Sequence, residues 1–352
     1  MSGYSYDNVK ISGIACALPC KKVYTDDYVG YFGKDVVEQF KKTTGIISRY
    51  LSNGKQTASD LCYVAARELL AKKKLTGDDI DAVIFMTQFP DYKTPSTAFV
   101  LHKRLGIKKE CLVFDINLGC SAFVNGLYFL SGLIQSGAVG RALLLIGDAE
   151  LEHPVYEDHS FSMMFGDAGT ACLLEKGSGK MCGIIKADGS GYDVMITPCP
   201  GARFPKGYTN EREDGLTKKM AGDDTFLFTI TEVPKLFKEF FKQFACGWDD
   251  FDYCVLHQAN LFMLNHIAKR IKLPKDKMAV SIDKFGNTDG SSIPLGIVDL
   301  CENNITEASN LKLIVSGFGI GLSWGVMAFE INTEDVLPLI ITDEYFEEGF
   351  NI

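Results

Sequence analysis

Two stretches decide how this chain folds: DDIDAVIFMTQ, residues 78–88, and DDFDYCVLHQ, residues 249–258. Each is an acidic turn leading into a short, wholly apolar run. The likeness continues outward from both. Each run is followed by a helical stretch ending in a basic cluster, KRLGIKKE (103–110) and KRIKLPKD (269–276). A second strand follows in each series, CLVFDINLGC (111–120) and MAVSIDKFGN (278–287), and then an apolar helix beginning near Ser121 or Ser291. A third strand closes each series, RALLLIGD (141–148) and LKLIVSGFG (311–319). Elements recurring in one order define a duplicated β-α-β-α-β unit. Continuous apolar strands alternating with helices imply parallel sheets covered on both faces.

Composition narrows the function. The chain has 352 residues, 46% of them hydrophobic, enough for a large core. A net charge of −9 without a long basic run argues against a nucleic-acid partner. Eleven cysteines are scattered through the chain with no CxxC pair of zinc spacing, so they read as reduced thiols of a cytoplasmic protein, with no metal site. The first residues, MSGYSYDNVK, lack an apolar signal region, and no apolar run nears the roughly 20 residues of a membrane span.

The repeat aligns three chemically distinctive residues. Cys120 and Asn287 occupy matching positions, each just after a glycine, Gly119 or Gly286. His257 matches Met86, at the carboxyl end of its strand. Ligands of open α/β sheets bind beyond those strand ends, so the three can converge if the halves pack about a pseudo-twofold axis. The helix expected over about 121–136 has almost no polar face and should be buried centrally. A thiol at its N-terminus meets the positive end of the helix dipole, which favours thiolate and suits thioester exchange. Taken singly, Cys120 could be a small core residue, His257 a satisfied core histidine and Asn287 an ordinary turn residue. A neutral His and an Asn together can donate to a developing oxyanion.

At these residues the chain resembles the thiolase superfamily and, within it, β-ketoacyl-acyl-carrier-protein synthase III. The motifs that carry the resemblance are TGI (44–46), FDINLGCSAFVNGL (114–127), FGDAG (165–169), HQAN (257–260), GNTDGSSIP (286–294) and GFGIGLSWG (317–325). It implies a five-layered αβαβα sandwich of two duplicated halves, 1–175 and 176–331, with a tail at 332–352, usually as a homodimer. The family's catalytic Cys, His and Asn fall on Cys120, His257 and Asn287. The implied reaction is a decarboxylative Claisen condensation. Cys120 takes an acyl group from a thioester of coenzyme A or acyl carrier protein, with no tightly bound cofactor. A malonyl thioester then loses CO₂, and His257 and Asn287 hold the enolate oxygen. The Cys120 N–H and one from Gly319, Ile320 or Gly321 would form the oxyanion hole, and Phe318 would press on the departing carboxylate.

The sequence departs from the family pattern away from that centre. Gln39 and His159 stand where primary-metabolism members hold the coenzyme A adenine between a Trp and an Arg. Phe262 replaces an arginine near the carrier-protein surface, and Thr94 replaces a bulky residue of the acyl-pocket wall. These changes suit a pathway-specific synthase, in fatty-acid or specialised acyl or polyketide synthesis. A relative that passes the acyl group to a hydroxyl or amine would share the triad and differ only in product. A catalytically silent partner subunit would lack the cysteine.

Overall fold

The computed structural model describes residues 3–150, 159–198, 201–203, 219–302 and 309–347. The first half of the chain contains β1 (Tyr4–Pro19), β2 (Lys21–Tyr24), α1 (Val29–Phe32), α2 (Lys34–Thr44), β3 (Ser48–Leu51) and α3 (Ala58–Lys73). It continues through β4 (Ala82–Met86), α4 (Thr97–Arg104), β5 (Leu112–Ile116), α5 (Ala122–Gln135), β6 (Arg141–Asp148), α6 (His159–Met164) and β7 (Ala168–Ala187). After β8 (Met195–Ile196) and β9 (Lys219–Met220) come α7 (Gly222–Phe244), β10 (Tyr253–Leu256), α8 (Leu261–Ile271), α9 (Ile282–Phe285) and α10 (Ser292–Glu302). The series ends with β11 (Asn310–Gly319), β12 (Ser323–Asn332) and β13 (Ile340–Thr342).

The acidic turns of the repeat do the same job twice. Asp79 accepts the Thr76 N–H and Asp250 the Gly247 N–H, each at 2.8 Å, closing a short 3₁₀ turn. Two residues on, Asp81 accepts the Gly140 and Arg141 N–H groups at 3.0 Å, and Asp252 accepts that of Lys312 at 2.7 Å. Each aspartate thus ties the start of its strand to the strand beside it, β4 to β6 and β10 to β11.

Strand pairing runs β10-β11-β12-β7-β6-β4-β5, with β1 beside β7 and β13 beside β1. β4 pairs parallel with both β5 and β6, and β10 with β11. The strands formed in each series pair parallel as expected, and the strand that follows each series does not. β7 runs antiparallel to β6, and β12 to β11, which it follows through a tight turn. β7 is long enough to serve twice: Ala168–Glu175 pairs with β6, and Cys182–Ala187 with β12. β1 runs antiparallel along β7, from Tyr4↔Gly183 to Ala17↔Gly169.

Alternation of side chains sorts the core into layers. Val83, Phe85, Leu143 and Leu145 face α3 and α4. Ile84, Met86, Leu144 and Ile146 face the other way, onto α5 and α10, which Val255, Leu313 and Val315 cover from the second sheet. Leu256, Ile314 and Val326 face outward onto α7 and α8. Helix, sheet, helices, sheet, helix is the five-layered α/β sandwich expected.

One expected strand is missing. MAVSIDKFGN makes a single parallel bridge, Cys254↔Met278, and then turns into α9. The Gln258 side chain takes the place of a neighbouring strand here: its Oε1 accepts the Ser281 N–H at 3.0 Å and its Nε2 donates to Ala279 O. The tail lies on the first half of the chain. β13 pairs parallel with Ala17–Pro19 of β1, and Gln56 Nε2 donates to Thr342 O and Glu344 O at 2.9 and 3.0 Å. Arg67 holds Glu344 through two bonds of 2.7 and 2.9 Å, and the Phe346 ring lies 3.9 Å from the Arg104 guanidinium.

Candidate active site

Cys120 sits on the turn between β5 and α5, 8% exposed. Phe123, Val124, Leu127 and Leu130 bury α5 in the central layer, which points the N-terminal end of the helix at the turn. Gly319, the last residue of β11, packs directly on the thiol. A Cβ there would lie 2.5 Å from Cys120 Cβ and 3.0 Å from Sγ, so no larger residue fits.

His257 follows β10 and continues its ladder, its N–H donating to Ser316 O at 2.8 Å. The ring is 1% exposed and meets the Phe318 ring edge-on at 5.4 Å. Nδ1 lies 2.7 Å from Ser292 Oγ, at the start of α10. That hydroxyl oxygen already accepts the Gln258 N–H at 3.3 Å, so its proton is free to go to Nδ1, which leaves the ring proton on Nε2. Burial pushes the imidazole down to about 4, against the opposing pull of the Asp289 carboxylate and a backbone hydrogen bond to Asp289. His257 is therefore neutral at pH 7.

Asn287 is fixed by its backbone, which donates to Met164 O and accepts from the Gly166 N–H, both at 3.0 Å. Its Oδ1 accepts the Asp289 N–H at 3.0 Å, which leaves Nδ2 as the donor end of the amide. Cys120, His257, Asn287, Phe318, Gly319 and Asp289 all line one cavity of about 460 Å³. Met164, Met195, Met220 and Met263 supply much of the rest, a wall of flexible thioethers that adapts to flexible apolar chains.

The residues the sequence placed outside the triad fare differently. Ile320 and Gly321 lie in the turn between β11 and β12 and do not line the cavity. Gln39 is exposed on α2, where its Nε2 donates to Thr43 Oγ1 at 3.3 Å, and His159 is exposed at the start of α6 with the Phe32 ring 6.1 Å away. Thr94 is exposed on the loop after β4. None of the three is on the cavity wall. Phe262, by contrast, does line it, and forms an aromatic lip with Phe226 at 5.3 Å and His266 at 4.2 Å. Sequence reasoning missed Asp289, Ser292 and the methionine wall. The first two stand in GNTDGSS beside Asn287 and carried their own signal; the methionines are scattered over 100 residues and carried none.

A solved 3-oxoacyl-(acyl-carrier-protein) synthase from Burkholderia xenovorans has the same fold, with a TM-score of 0.89 at 35% identity over 97% of this chain and 99% of that one. This is the thiolase fold, in the form used by condensing acyltransferases. The chain belongs to the 3-oxoacyl-[acyl-carrier-protein] synthase III family, whose model matches residues 114–190 and whose C-terminal model matches residues 242–331. The β-ketoacyl-[acyl-carrier-protein] synthase III of Streptococcus gordonii is 33% identical over 92% of this chain and 99% of its own length. A putative 3-oxoacyl-[acyl-carrier-protein] synthase 3 of Campylobacter jejuni is 31% identical over 94% and 97%.

Proposed function

We propose that the protein catalyses decarboxylative Claisen condensation of an acyl thioester with a malonyl thioester on acyl carrier protein, through an acyl-Cys120 intermediate. The observation that carries this reading is that Cys120, His257 and Asn287 line one cavity, with Gly319 against the sulfur. Cys120 attacks the acyl thioester carbonyl, and the backbone at Cys120 and Gly319 faces the oxyanion. The malonyl carboxylate leaves as CO₂ beside Phe318. The electron pair passes to the thioester oxygen, where two neutral donors meet it, and the carbanion attacks acyl-Cys120. A neutral His257 suits this role, because it donates without first losing a proton.

The acyl donor arrives on a carrier protein rather than as a short acyl-coenzyme A. Gln39 offers no aromatic face for an adenine. A cytoplasmic setting accords with the ten described cysteines, all free thiols. No helix among the described residues is long and apolar enough to cross a membrane. Homodimer formation accords with β5, a sheet edge flanked by Phe99, Leu112 and Phe129, which are 52%, 41% and 40% exposed. Sedimentation of the purified chain should give twice its mass; a monomer would count against that pairing.

The test of function is intact-protein mass after exposure to acyl thioesters, with CO₂ release from a malonyl thioester. One acyl adduct is expected, absent in Cys120→Ala, together with a β-ketoacyl product. An adduct that persists in Cys120→Ala, or an acyl group passed to an alcohol or amine without CO₂ release, overturns the reading.

A further inference from the structure

We propose that Asp289 is a further catalytic residue: it accepts the proton of the Cys120 thiol during acyl transfer and returns it to the departing thiol. This rests on Cys120 being the acylated nucleophile.

Asp289 is 4% exposed, yet it lines the same cavity as Cys120, His257 and Asn287. Its backbone has φ +50°, a left-handed conformation that non-glycine residues seldom adopt, and its N–H is held by Asn287 Oδ1. Its Oδ1 is buried without a hydrogen-bond partner among the described residues. A Cβ on Gly119 would lie 2.6 Å from that oxygen, so the carboxylate packs against the residue just before Cys120. Gln88 Oε1, also buried and unpartnered, would lie 2.7 Å from the same point. Two buried acceptors thus meet at one corner, where neither has a hydrogen-bond partner among the described residues.

Other acceptors in the cavity are poorly suited. His257 is pushed down by burial and its Nδ1 is engaged with Ser292. Asp223 lines the cavity but is exposed. The titratable groups facing Asp289 are Cys120 before α5, His257 after β10 and, through Gln88, whose N–H it accepts, Asp148 at the end of β6.

The step balances. The Sγ–H bond breaks as Sγ attacks the thioester carbonyl, and the proton passes to the Asp289 carboxylate, directly or through one water. The tetrahedral intermediate then collapses. Its C–S bond to the departing group breaks, the electron pair stays on that sulfur, and Asp289 gives the proton back. The products are acyl-Cys120, a free thiol and the original carboxylate.

The experiment is single-turnover acylation of Cys120 by octanoyl-acyl carrier protein, read by quenched-flow intact mass across pH. Asp289→Asn should slow acylation about 10²- to 10⁴-fold, with the concentration giving half-maximal rate changed less than threefold. Asp289→Glu should recover at least tenfold of that loss. The pH dependence of iodoacetamide alkylation at Cys120 should move to lower pH in Asp289→Asn, because a neighbouring negative charge is gone. If Asp289→Asn does not fold, Asp289→Ser, whose hydroxyl can donate to Gln88, replaces it with the same expectation. Acylation at the wild-type rate in either folded variant overturns the inference alone. Failure of the wild type to form any Cys120 adduct overturns the nucleophile reading, and the inference with it.

Discussion

Ser292 Oγ stands 2.7 Å from His257 Nδ1 while accepting the Gln258 N–H, so one hydroxyl fixes both the tilt and the tautomer of the imidazole. Ser292→Ala frees the ring to place its proton on either nitrogen. CO₂ release from a malonyl thioester should fall about 10²-fold, while Cys120 acylation stays within threefold. Loss of both half-reactions together would show that the hydroxyl serves general packing instead.

The buried imidazole also sets an acid limit. An unfolded chain carries a histidine that titrates near 6.5, whereas His257 in the fold titrates at about 4. Between those values the unfolded state binds more protons, so stability falls as pH drops through this window and is fully regained above it. The loss is roughly 3 kcal/mol by the bottom of the window. Thermal melts between pH 7 and pH 4 should fall more steeply for the wild type than for His257→Gln. Parallel slopes would rule the effect out.

On the proposed mechanism, Asn287 and His257 divide the oxyanion between them. Asn287→Ala should still accept an acyl group on Cys120 but release CO₂ about 10²- to 10³-fold more slowly. Radiolabelled malonyl thioester gives the rate directly. Unchanged release would remove the amide from the reaction.

The tail predicts an order of stabilities. Phe346 packs on Arg104 and edge-on against Tyr63 at 4.9 Å, and should cost about 1–2 kcal/mol when cut to Ala. Arg67 and Glu344 are 38% and 50% exposed, and Arg67→Ala should cost under about 1 kcal/mol. Denaturant midpoints decide it; the reverse order would show that the ion pair anchors the tail.

The duplication was legible because it is written in residues with fixed duties. Asp79, Asp81, Asp250 and Asp252 do in the fold what their matched positions implied, and Ile84 and Val83 sort to opposite faces as strand residues must. The segment around Met278 misled because its apolar alternation looks like a strand, while the group that completes its hydrogen bonds is a side chain, Gln258, distant in sequence. Cys120, His257 and Asn287 share one wall as the repeat implied. Gln39, His159 and Thr94 lie off that wall, on α2, at the start of α6 and on the loop after β4. Asp289 stands two residues from Asn287 in GNTDGSS, and its burial comes from the packing of that segment beneath α5.

The pairing of β1 with β7 governs the order in which this chain can be finished during synthesis. Gly13 meets Leu173, a separation of 160 residues, and Ala17 meets Ile340 on its other side. At about 5–20 residues per second, β1 waits roughly 8–30 s for its antiparallel mate, and longer still for β13. Until then both of its edges are open to other chains. The Lys21-Lys22 pair that follows β1 puts charge beside that waiting strand, and β13, more than 300 residues later, closes its second edge.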